Sequence, residues 1–140
     1  MINILGGINN TSSALDAERF RMDVITQNIA NSTMTRDVDG KPYQRRQVVF
    51  ERMLGQHLGT DAMPSGVQVA RVIKDQRPPQ MIYDPDNPQA DAKGMIAMPN
   101  VNIHEEMADF IAASRSFEAN LAVVRNARTM ALQTLAIGKR

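Results

Sequence analysis

Between Ile103 and Ile137 the chain contains neither proline nor glycine, and one apolar stripe runs through the whole interval. Met107, Phe110, Ser114, Phe117, Leu121, Val124, Arg128, Ala131 and Leu135 follow one another in alternating steps of three and four residues. That is the spacing of the a and d positions of a coiled coil, with Ser114 and Arg128 as polar interruptions. Asn102 is a good N-cap, and Glu105 three residues later suits a capping-box-like arrangement. Glu105 and Glu106 put negative charge in the first turn, and Lys139 and Arg140 put positive charge after Gly138, as a helix dipole favours. A helix of about 35 residues is about 52 Å long at roughly 1.5 Å per residue. The rest of the chain is too small to cover such a seam along its full length.

A second helical pattern runs from about Thr11 to Ala30. Ile8, Leu15, Met22 and Ile29 recur every seven residues, Ile25 joins them at a three-residue step, and Phe20 and Val24 widen the stripe. Gly6, Gly7 and three asparagines give residues 1–10 poor helix propensity, and Asn31-Ser-Thr-Met-Thr35 ends the pattern with side chains that compete for backbone hydrogen bonds. All seven prolines fall between positions 42 and 99. The interval 32–101 reads as short strands and turns: 47–50, 67–74, 81–83 and 94–98 as strands, a glycine-rich loop from Gly55 to Gly66, and Asp84-Pro-Asp-Asn-Pro88 as a turn. The expected fold class is mainly α with a small β-rich insert. Segments 1–31 and 102–140 form a helical core domain, and 32–101 forms the middle.

Chemistry is sparse. With no cysteine, disulfides, thiol catalysis and cysteine-rich zinc sites are all excluded. The formal net charge is +1 and aromatic content is 4%, which argues against a nucleic-acid groove with stacking platforms. No stretch reaches the roughly 18–20 apolar residues of a membrane span, and the N-terminus lacks the basic and apolar regions of a cleaved leader. His104 has no second histidine four residues on, as a zinc protease helix requires, and neither histidine stands three residues after a glutamate, as a di-iron bundle requires. His104 reads as a solvated first-turn residue and His57 as an exposed loop residue. Asp84, Asp86 and Asp91 do not fit a calcium loop: Gln89 stands where glycine is needed and Met95 where the bidentate glutamate is needed. They read as turn formers. No nucleophile elbow, phosphate loop or dinucleotide fingerprint is present, so no catalytic, cofactor or metal residue is assigned. Arginine exceeds lysine, with Arg19, Arg21, Arg45, Arg46, Arg52, Arg115 and Arg125 among them, and its forked guanidinium suits ion pairs with carboxylates at interfaces. A solvated helix face accounts equally well for any one of them.

Two helices cover only half of each other. Leaving Met107, Phe110, Leu121, Val124 and Leu135 in water forgoes roughly 1.5–3 kcal/mol each, a sum on the order of 10 kcal/mol, as large as the whole stability of a small domain. The stripes are therefore expected to be assembly surfaces that order when copies pack. The candidate interface residues are Ile8, Leu15, Met22, Ile25, Ile29, Met107, Phe110, Phe117, Leu121, Val124 and Leu135.

The segment from Ser13 to Asn31, SALDAERFRMDVITQNIAN, resembles the N-terminal signature of bacterial flagellar axial proteins. Met98-Pro-Asn-Val-Asn-Ile-His-Glu-Glu-Met107 and Ser114-Arg-Ser-Phe-Glu-Ala-Asn120 resemble their C-terminal signature. Asn28, Asn31, Pro99, Asn100, Asn102, Glu105, Glu118 and Asn120 belong to these signatures. Tyr83-Asp-Pro-Asp-Asn-Pro-Gln-Ala-Asp91, followed by Gly94, narrows the resemblance to the proximal rod proteins of the basal body, over essentially the full length. Phe117 stands where that family commonly has tyrosine, Met95 where it has an aromatic, and Ser32-Thr-Met-Thr35 where it has a threonine-rich turn.

The resemblance implies a non-enzymatic structural subunit without cofactors. Its terminal helices would form a coiled-coil inner domain, and its partners would be further copies and other rod proteins, with the membrane-embedded ring and the export apparatus nearby. It implies export without a cleaved signal and a place in the periplasmic rod, a hollow shaft that transmits torque and passes later subunits. Neither nucleic acid nor membrane insertion is expected. The alternatives are another axial protein of the same machine, which would carry a larger middle domain, a nucleic-acid module, or a small helical enzyme or metal-binding bundle. The last would need inward-facing histidine or carboxylate clusters, and the two stripes contain almost none, Glu18 being the only acid near the first.

Overall fold

The computed structural model describes residues 4–37, 39–52 and 66–138, with the side chains of the first helix from Gly7 onward. Helix α1 (Ile4–Ala30) is followed by strands β1 (Arg46–Arg52), β2 (Val67–Lys74), β3 (Gln80–Tyr83) and β4 (Met95–Met98), then by helix α2 (Ile103–Ile137). The helix–insert–helix order matches the sequence reading. Most of the glycine-rich loop, with His57, and the basic pair Lys139 and Arg140 lie outside the described residues.

Helix α1 starts seven residues earlier than propensity suggests. Once a helix is nucleated, each added residue gains a backbone hydrogen bond for one residue fixed, while a glycine costs only about 1 kcal/mol relative to alanine. The Thr11 hydroxyl donates to the Gly7 carbonyl across this stretch (2.8 Å).

Helix α2 is capped as expected at its start: Asn102 is extended and its side chain accepts from the His104 N–H. Glu105 does not close a reciprocal box; its carboxylate takes the Asn102 side-chain amide (3.4 Å) and Arg77 (3.3 Å) instead. At the other end Gly138 stays right-handed at φ −73°, so glycine's freedom is not used there.

β1 and β2 form one antiparallel pair, and β3 and β4 another. Val49 pairs with Arg71 but Phe50 with Val69, leaving Ala70 as an extra residue in β2. Val67, Val69 and Ile73 stand at even spacing and would share one face of an unbroken strand. The bulge resets it, and Ile73 and Val72 are exposed. β1 and β2 pack along α1, and the Val67 N–H donates to the Ser13 hydroxyl (3.1 Å).

The turn between β3 and β4 is built by Asp91, whose Oδ1 accepts from the Lys93 and Met95 N–H groups (2.8 and 2.9 Å). Gly94 at φ +71° closes it, and a Cβ there would lie 2.9 Å from the Tyr83 ring. Only glycine fits both the conformation and the space.

The helices run antiparallel, with Asn28 near the end of α1 meeting Glu106 in the first turn of α2. The buried apolar residues are Ala17, Val24, Ile25, Tyr43, Ile96, Val101 and Ala113. The core thus gathers where α1 meets α2 and the segments that lead into β1 and into α2.

Candidate functional site

At that junction the two largest fully buried side chains are polar. Glu106 is fully buried and Asn28 is 1% exposed. Asn28 uses its whole hydrogen-bonding capacity. Its Nδ2 donates to the Arg46 carbonyl (2.8 Å) and to Glu106 Oε2 (2.9 Å). Its Oδ1 accepts from the Tyr43 hydroxyl and the Arg46 N–H (both 2.9 Å).

Arg45, also buried, donates from Nε to Glu106 Oε1 and from Nη2 to Asp109 Oδ2 (3.1 Å), while Nη1 lies 3.7 Å from Asp75 Oδ2. Asn100 fixes the backbone around it: Oδ1 accepts the Arg45 N–H (2.8 Å), and Nδ2 donates to the carbonyls of Arg77 (2.8 Å) and Asp75 (3.3 Å). One network therefore ties α1, β1, the turn after β2, the approach to α2, and α2 itself.

Electrostatics follow from these contacts. The Arg77 N–H bonding to Asp75, seconded by the guanidinium of Arg77, holds the Asp75 carboxyl below its ordinary value of 3.8 despite partial burial. In the same pair Asp75, with help from Glu105, raises Arg77. Burial raises the Tyr43 phenol against the opposing effect of Arg46, whose guanidinium lies 5.5 Å above the ring, so Tyr43 remains a donor to Asn28. A depressed carboxyl adds stability that is present above its unfolded value and is lost as pH falls through its folded value. The urea midpoint of the chain is therefore expected to drop as pH falls below about 4. Asp75→Asn should flatten part of that acid slope, and an unchanged slope would remove Asp75 from the account.

The network corrects two sequence readings and decides a third. Glu106 is no solvated dipole partner but the centre of the core. Of the two readings left open for Arg45, it takes the ion pairs. The helix seam does contain inward acids, Glu106 with Asp109 beside it, although they meet a guanidinium; among the described residues no cluster of three or more potential ligands could hold a metal. Glu106 sits seven residues before Ala113 and fourteen before Asn120. An acid in register with a small-residue row was the available signal.

The second surface is apolar. Of the predicted α2 seam, Phe117, Val124 and Ala131 are half-buried, and among the described elements α1 is the one packed against α2. The other row is displaced by one residue: Glu106, Ala113, Asn120 and Ala127 turn inward, leaving Leu121 and Ser114 at the edge and Met107, Arg128 and Leu135 exposed. Phe110 is exposed as well. Small residues allow close helix approach, and Glu106 fixes the rotation, so the large side chains are pushed to the flank.

On α1 the shift is similar. Ala17, Val24, Ile25 and Asn28 are buried, whereas Ile8, Leu15, Met22 and Ile29 are half-buried and Phe20 is exposed. Glu18 is half-buried with Oε2 unbonded. Besides Leu135, Ile103, Ile111, Val123, Met130, Leu132 and Ile137 are exposed, so α2 carries apolar side chains on faces that α1 does not cover. No described helix is long and apolar enough to cross a membrane.

Of the signature residues, Asn28 and Asn100 are the two amide hubs, Pro99 is buried beside Asn100, and Asn102 and Glu105 shape the helix start. Asn31 bonds the Gln27 carbonyl (2.8 Å), Asn120 is half-buried and Glu118 is exposed.

Residues 92–137 match the family model described as flagellar basal body rod FlgEFG protein C-terminal. Across 127 residues, 91% of this chain and 92% of the relative, the chain is 42% identical to a flagellar basal-body rod protein FlgC of Escherichia coli. It is 39% identical to that of Yersinia enterocolitica over 99% of this chain and all of the relative, and 35% identical to that of Bacillus subtilis over 94% and 96%.

Proposed function

Since the chain belongs to the FlgC family of flagellar basal-body rod proteins, and is thus a structural subunit of that rod, we propose that it assembles helically through its terminal helices. Segments 1–31 and 102–140 act as the axial core domain, packing as a coiled coil with further copies and with other rod proteins, while 32–101 lies outside it. The assembly is the hollow periplasmic shaft that transmits torque and passes exported subunits, within reach of the membrane-embedded ring. The chain arrives by the flagellar export route and carries no catalytic role.

The observation that carries this reading is the uncovered apolar flank of α2. Leu132, Leu135 and Ile137 are each more than half exposed at the far end of a helix eight residues longer than its partner. Contacts between unlike surfaces that do not close a ring propagate a helix, and a hollow rod is such a helix.

The test is complementation. In a strain lacking its own rod subunit of this family, the full chain is expected to restore swimming and to co-purify with detergent-extracted basal bodies. A chain that is exported and stable yet absent from basal bodies would overturn the proposal.

A further inference from the structure

The chain has ten methionines, and their placement is uneven. Met22, Met95 and Met98 are half-buried. Met34 and Met81 are 40% and 52% exposed outside the helices, and Met107 and Met130 are 53% and 61% exposed on α2. Met107 stands among Ile103, Phe110 and Ile111, its neighbours at helical spacing and all exposed. Met130 is midway between Val123 and Ile137, seven residues from each, on a face turned away from α1 and also exposed. Each thioether is thus the polarizable centre of an apolar patch that is open before assembly.

We propose that Met107 and Met130 form an oxidation-sensitive modification site that blocks assembly of the free subunit. The inference rests on the assembly reading above. The oxidant class is a peroxide, represented by hydrogen peroxide. The methionine sulfur attacks one peroxide oxygen, the sulfur–oxygen bond forms and the oxygen–oxygen bond breaks. The second oxygen leaves as water with both protons. The thioether loses two electrons and the peroxide gains them. The product replaces an apolar side chain with a polar, chiral one, which a neighbouring helix can no longer cover without losing hydration of the sulfoxide. Methionine sulfoxide reductases reverse the change, so the block on the free subunit is reversible.

Two experiments test this. In the purified full chain treated with hydrogen peroxide, peptide mass spectrometry should show Met107 and Met130 oxidising about fivefold faster or more than Met22, in line with their exposure. In cells, Met107→Gln with Met130→Gln imitates the polarity of the sulfoxide and should cut the number of basal bodies per cell about tenfold or more, the factor of a 1.4 kcal/mol loss per contact. Met107→Leu with Met130→Leu should assemble normally and keep assembling under sublethal peroxide, when the wild-type chain does not. Equal oxidation of Met22, normal assembly of the glutamine pair, or failure of the leucine pair would each overturn the site. Failure of the assembly reading is separately visible, because Leu135→Asp would then swim normally.

Discussion

Replacing Glu106 with alanine is expected to lower the stability of the chain by about 3–5 kcal/mol, because it leaves a buried guanidinium without its main partner. Arg45 would keep Asp109 at 3.1 Å and Asp75 at 3.7 Å, but Asp109 is partly exposed and the Asp75 contact is long. Asn28 would lose one of its four hydrogen bonds. Against a total of about 5–15 kcal/mol for a small domain, such a loss is a large fraction.

The control separates the charge from the shape. Arg45→Met combined with Glu106→Leu removes both charges at similar volume, and such exchanges are neutral or stabilising where the desolvation cost of the pair exceeds its attraction. The double variant should therefore be the more stable of the two. Urea unfolding followed by circular dichroism measures both. A Glu106→Ala midpoint indistinguishable from wild type would mean that the pair does not hold the helices together.

Leu135→Asp and Ile111→Asp should each abolish swimming while leaving folding intact. Both side chains are more than half exposed, at 68% and 51%, and surface replacements of this kind usually change stability by less than about 0.5 kcal/mol. In an assembled rod the same positions would bury an unpaired carboxylate, at a cost of several kcal/mol. Each 1.4 kcal/mol is about a factor of ten in the contact's equilibrium, and the defect recurs at every copy. Ile25→Asp is the contrasting variant: Ile25 is only 5% exposed within the single chain, so its aspartate should unfold the protein rather than spare it. The paired readout is swimming in soft agar and the urea midpoint. Normal motility of both surface variants would sink assembly through this flank.

Which residues serve the fold and which serve assembly was not legible from apolar spacing alone. The stripe method weighs large side chains, and it joined Phe117, Val124 and Leu135 in a single seam. In the structure the first two are partly covered by α1, and Leu135 is bare. Ala113 and Ala127, outside the predicted stripe, line the covered face, with Glu106 on the same face. A row of alanines carries almost no periodic signal, and a glutamate in it looks like an interruption.

The sequence by itself determined the two helices, the order of the four strands, the Asn102 cap, Asp91 as a turn former, and the family. Proline exclusion, capping chemistry and turn residues act within a few positions of chain, so they can be read without a partner in view. Only the tertiary structure decided the rotation of α2, the bulge at Ala70, and the roles of Asn28, Asn100, Arg45 and Glu106. Those depend on groups separated by 15 to 78 positions in the chain, and a charged side chain goes into a core only when its partner arrives from elsewhere. Whether Glu106 is surface or centre is therefore a property of Arg45 and the turn that delivers it, and no local pattern contains that information.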